Sequence, residues 1–97
     1  MMHLRVAVGI VLAGFAAERA RAEDAPGLAA SLGCMNCHAV DQRKLGPSFK
    51  DIAATYAGNA AAGAKLIAEL KNGQGHPKVV ASDADLKTLV DSVLATR

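Results

Sequence analysis

Tryptophan is absent from the 97 residues, and the aromatic content is two phenylalanines and one tyrosine. So poor a supply of large rings excludes an ordinary aromatic-centred core. No segment alternates apolar and polar residues in a convincing way, which argues against strands. Long apolar runs are also missing: Val6 to Ala17 is a run of twelve, and a membrane-spanning helix needs about 20. Cysteine is scarce. Cys34 and Cys37 are the two in the chain; a bridge between them would close a tiny loop and add little stability. One Cys-x-x-Cys also falls short of the four protein ligands of a structural zinc site. An excess of one charge is lacking once the chain is divided. The net charge is +2, but Arg5, Arg19 and Arg21 against Glu18 account for it within residues 1–22, and the rest holds eight basic and eight acidic residues. The basic balance is therefore no sign of a nucleic-acid partner.

What is present begins with a leader pattern. His3 and Arg5 precede the apolar run, and Ala20-Arg21-Ala22 follows it. Charged start, short apolar stretch and small-x-small site together predict a signal peptide over residues 1–22. Residues 23–97 then form one exported domain in the periplasm, with no membrane insertion of the mature chain. Such a small domain is expected to need a staple beyond its own core.

Four short helices are expected. The first runs from about Pro26 to Leu32, since proline suits a first helical turn. The second runs from about Ser48 to Tyr56, capped by Ser48, with Phe49, Ile52, Ala53 and Tyr56 on one face. The third covers about Ala60 to Lys71, with Leu66, Ile67 and Leu70 inward and Asn72-Gly73 as the stop. The fourth follows Ser82, with Asp83 and Asp85 in the first turn, where the helix dipole favours acids. Leu86, Leu89, Val90, Val93 and Leu94 make its apolar stripe. A loop, residues 73–81, joins the third to the fourth and contains His76.

Cys34-Met35-Asn36-Cys37-His38 carries the chemistry. Cys-x-x-Cys-His is the attachment signature of c-type haem. Two thiols three apart can add to the two porphyrin vinyl groups, and a histidine directly after them falls under the iron. A thioredoxin-like redox pair would require a βαβ pattern, which is not seen.

The chain from about residue 25 onward resembles the small bacterial class I cytochromes c, the cytochrome c-551/c-552 group. The similarity lies in Gly33 to Val40 around the cysteines, Leu45-Gly46-Pro47-Ser48-Phe49-Lys50-Asp51-Ile52-Ala53, Lys71-Asn72-Gly73, and Ser82 to Leu86. It implies an all-α fold of about four short helices wrapped around one covalent haem c. It implies Cys34 and Cys37 as the attachment points, His38 as the proximal iron ligand, and Pro47 as the residue whose carbonyl accepts a hydrogen bond from that imidazole.

Two departures from the family stand out. Its distal ligand is a methionine in the loop before the last helix, but Met1 and Met2 belong to the leader and Met35 lies between the cysteines. The loop is shorter than usual and holds His76, Pro77 and Lys78 instead. His76 is therefore the favoured sixth ligand, against an open or water-filled site, or Lys78 after loss of its proton. The second departure concerns the crossing of the first and last helices. The family places aromatics there; Ala29 and Ser92 stand here, so the two helices either close up or make a weak contact. Lys44, Lys50 and Lys71 are candidates for a basic ring around the haem edge, or ordinary solvated lysines.

These features point to a monomeric one-electron carrier with transient periplasmic redox partners. Two other readings stand beside it: a haem protein that binds or senses a small ligand at a displaceable distal site, and an electron-relay subunit of an oxidoreductase. No nucleophile–base constellation suggests an enzyme. Processing is checked by intact-mass analysis of exported protein, which should show a chain starting close to Glu23; a full-length product held in the membrane would overturn the leader assignment.

Overall fold

Two serines begin two of the helices by the same device. In α2 (Phe49–Thr55), Ser48 is extended and its hydroxyl accepts the Asp51 N–H at 3.0 Å. In α4 (Asp83–Leu94), Ser82 does the same for Asp85 at 3.1 Å. Each cap satisfies an N–H that the first turn leaves without a partner. The computed structural model describes residues 25–97 together with Gly9. The expected signal peptide over 1–22 and its cleavage point lie, Gly9 apart, outside the described residues.

α1 spans Ala25–Ser31 and contains Pro26 in its first turn. Gly33 then takes φ 81, a left-handed conformation open to glycine, and starts a 3-10 turn over Cys34–Asn36. The N–H groups of Cys37 and His38 both donate to the Cys34 carbonyl, at 3.2 and 3.0 Å. α3 spans Ala62–Asn72. It starts two residues later than its pattern suggests, because Asn59 holds the preceding turn: its Oδ1 accepts the Ala61 N–H at 3.0 Å and its carbonyl the Ala62 N–H at 3.2 Å. Gly73, at φ 70, ends α3 and donates to the Glu69 carbonyl at 2.9 Å. The described residues contain four α-helices and no strand.

α4 packs against α1, α2 and α3. Leu86 is fully buried, and Leu89 and Val90 are nearly so. Ala29, Phe49 and Leu89 form the central cluster, with Leu28, Leu32, Ile52, Leu70 and Val93 packed partly buried around it. Four of the eight buried apolar residues are alanines, so little apolar bulk is enclosed. Leu66, Ile67 and Leu70 of α3 are only half-buried. Leu66 and Leu70 instead line an open cleft. At the α1–α4 crossing, Ala29 and Ser92 border a cavity of about 260 Å³ together with Met35, Phe49, Leu89 and Val93. The pair of small residues thus goes with an apolar notch between helices in contact.

The half-buried leucines and the alanine-rich centre make the fold dependent on whatever fills the cleft. A Cys34→Ala, Cys37→Ala variant made without haem should show mostly unfolded chain by circular dichroism. A cooperative melt from near-native helix content would show that the protein core suffices alone.

Candidate functional site

The 3-10 turn brings Cys34, Cys37 and His38 to one wall of the cleft. The loop that follows is tied back over the turn. Gly46 N–H donates to the Cys37 carbonyl at 2.8 Å, Phe49 N–H to Ala39 at 3.0 Å, and Lys50 N–H to Val40 at 3.0 Å. This return places the Pro47 carbonyl 2.6 Å from His38 Nδ1. A carbonyl only accepts, so Nδ1 carries the proton and Nε2 keeps its lone pair. Phe49 stacks near the same ring, with centroids 5.5 Å apart. Gly46 presses against it: a Cβ there would stand 2.5 Å from Cε1 and 2.9 Å from Nδ1 of His38. Both cysteines are free thiols. Burial pushes the Cys34 thiol above its ordinary range, with its own backbone hydrogen bond partly opposing the shift.

The opposite wall is the loop between α3 and α4. Gly75 has φ 66, and Val79 N–H donates to the Leu70 carbonyl at 2.8 Å, which anchors the loop on the end of α3. His76 lies between these two points. Its Nδ1 is 2.7 Å from the Pro77 carbonyl, so this ring too carries its proton on Nδ1 and keeps the Nε2 lone pair. The His38 and His76 rings face each other with centroids 6.1 Å apart and planes within 8° of parallel. Their recorded hydrogen bonds are both through Nδ1.

Between the walls is a cavity of about 680 Å³, within the range of roughly 300–1,000 Å³ usual for cofactor sites. Leu32, Ile52, Leu66, Leu70, Val90 and Val93 give it an apolar lining, and Thr55, Tyr56, Glu69 and Lys78 add polar groups. Two thiols on one wall, and two imidazoles each with Nδ1 engaged and Nε2 left as a donor, suit a flat metallo-macrocycle. A spacing of 6.1 Å between ring centres leaves room for one metal ion between the two imidazoles. No cluster of three or more His, Cys, Asp or Glu able to hold a metal ion occurs among the described residues. The donor set fits haem c.

All five residues singled out in the sequence, Cys34, Cys37, His38, Pro47 and His76, line this one cleft. Met35 does not. It packs on the core side and borders the α1–α4 notch. Of the lysines that were candidates for the edge or ordinary solvated residues, Lys44 Nζ donates to the Met35 carbonyl at 2.9 Å, and Lys71 pairs with Asp83 at 2.9 Å. Neither they nor Lys50 line the cleft; Lys78 does. Sequence patterns gave no sign of Glu69 in its wall, because helical periodicity does not tell which neighbour a polar position faces. The contact role of Gly46 was likewise hidden, although Gly-Pro marked a turn.

No family model matches the chain. It is similar to cytochrome c-551 of Pseudomonas aeruginosa, 41% identical over 88 residues, which covers 84% of this chain and 85% of that protein. Cytochrome c-552 of Nitrosomonas europaea is 37% identical over 78 residues, 72% of this chain and 76% of that one. Among solved structures, the class 1 cytochrome MtoD of Sideroxydans lithotrophicus ES-1 has 37% identity and a TM-score of 0.67, covering 76% of this chain and 94% of its own. Nitrosomonas europaea cytochrome c552 has 34% identity and a TM-score of 0.63, over 74% and 99%.

The close approach of Gly46 to the His38 ring gives a direct test. Gly46→Ala puts a methyl group where backbone and imidazole leave no room, so the ring must move from the Pro47 carbonyl. Chemical denaturation should show a loss of about 1–3 kcal/mol, the usual cost of overpacking. Stability within about 0.5 kcal/mol of the parent, the range of a neutral surface change, would mean the contact is looser than it looks.

Proposed function

Since the chain belongs to the small bacterial class I cytochromes c of the c-551/c-552 group, we propose that it is an exported periplasmic electron carrier with bis-histidine haem ligation. Its cofactor is one covalent haem c, and its work is the transfer of single electrons. The haem supplies the iron that takes up and gives back the electron. Cys34 and Cys37 hold it by thioether bonds. His38 is the proximal ligand and His76 the distal one.

The observation that carries the ligand assignment is the facing pair of imidazoles, 6.1 Å apart and nearly parallel, each with Nδ1 on a proline carbonyl. Pro47 orients His38 and, by accepting a hydrogen bond from its Nδ1–H, makes Nε2 a stronger donor. The apolar walls keep water from the cofactor and so disfavour the more highly charged state of the iron centre. Histidine in place of methionine takes away the ligand that raises the potential, so this carrier works at a lower potential than methionine–histidine relatives. It acts as a monomer through brief encounters with redox proteins and catalyses no reaction of its own. The evenly balanced charge of residues 23–97 offers nucleic acid no attraction. Cleavage near Ala22 releases it; among the described residues no helix is long and apolar enough to cross a membrane.

Holoprotein made in a host that matures c-type cytochromes should keep its haem through acid–acetone extraction and be low-spin when oxidised. His76→Ala should turn the ferric spectrum towards high spin and let the ferrous form bind carbon monoxide rapidly. A parent protein that is already high-spin and binds carbon monoxide fast would remove His76 from the iron and favour the small-ligand reading.

A further inference from the structure

The two imidazoles reach the same state by different routes. His38 donates Nδ1–H to a carbonyl nine residues along, fixed by the folded loop. His76 donates to the carbonyl of its immediate neighbour, Pro77. That second bond is local, so its geometry is set by the backbone on either side of the histidine. Proline holds its own φ near −65° and keeps the preceding residue extended. Gly75, on the other side, has φ 66. A Cβ at Gly75 would meet nothing within 4 Å. Space does not demand glycine there; the left-handed conformation does.

We infer that Gly75 and Pro77 are positioning residues that preset the distal imidazole, fixing its Nε2 lone pair towards His38 and its plane parallel to the proximal ring. This rests on the bis-histidine reading above and adds to it the orientation of the ligand plane. The observation behind it is the 8° between the ring planes. Two anchors hold this short segment from outside: the Gly73 N–H on the Glu69 carbonyl and the Val79 N–H on the Leu70 carbonyl. With the ends pinned, the conformation at residues 75 and 77 decides where the ring points.

Parallel axial planes remove the same iron d-orbital degeneracy in concert, whereas crossed planes cancel that splitting. The oxidised holoprotein should therefore show a resolved rhombic low-spin electron paramagnetic resonance spectrum rather than one dominant large-g feature. Pro77→Gly keeps the carbonyl but frees the backbone. It should remain low-spin while its signal broadens or moves towards the large-g type. Gly75→Ala adds no clash, only the left-handed penalty, and should raise the carbon monoxide binding rate of the ferrous form about tenfold by populating the detached loop. Gly75→Asn, which tolerates that conformation, should restore the parent rate. A high-spin parent would defeat the ligand assignment and this inference together. A low-spin bis-histidine parent with a large-g spectrum, or variants at both positions that match the parent in spectrum and rate, would leave the ligands standing and overturn the positioning role.

Discussion

The bond from His38 Nδ1–H to the Pro47 carbonyl is the constraint on which the arrangement of the site depends. At 2.6 Å it selects one tautomer and one ring orientation. It also requires the loop after the cysteines to fold back over the 3-10 turn, which the backbone bonds to Cys37, Ala39 and Val40 accomplish. Gly46 lets that loop lie against the ring. Ser48, immediately after Pro47, then caps α2, so the end of the ligand loop is also the beginning of a helix. Phe49 joins the two roles: it is stacked near His38 and buried in the central cluster with Ala29 and Leu89.

This coupling explains how such a lean core holds a well-defined site. The buried residues are mostly small, and Leu66 and Leu70 of α3 line the cleft. Surface ion pairs such as Lys87–Asp91 are well exposed, and pairs of that kind contribute roughly 0–1 kcal/mol each. A haem seated in the cleft would complete the packing that the side chains leave unfinished. Stability and electron transfer thus draw on the same group.

The distal wall is the more lightly built of the two. His38 directly follows Cys37 and is backed by Phe49 and Gly46. The proposed distal ligand stands on a loop whose residues are mostly exposed. Its order comes from local backbone preference, two glycines at positive φ and one proline, rather than from packing.

Much was written into short stretches of the sequence. Cys-x-x-Cys-His determines where the cofactor attaches, because the chemistry is carried by adjacent residues. Ser48 and Ser82 mark helix starts through hydrogen bonds that span three residues, and Gly73 marks a stop through its own φ. The lack of a methionine where the resembled family carries its distal ligand makes His76 a candidate, beside an open site or Lys78. Other features depend on residues distant in the chain, and only the tertiary structure decides them. The separation and parallel alignment of His38 and His76 join two loops 38 residues apart in numbering. The notch between Ala29 and Ser92 could have been a close contact instead. The late start of α3 came from an asparagine turn, and the placing of Glu69 and Lys78 at the cleft came from how α3 and its loop dock on the rest. Local rules cover hydrogen bonds within a turn or two; the direction of a side chain across a cleft is set by packing between elements, which periodicity alone does not encode.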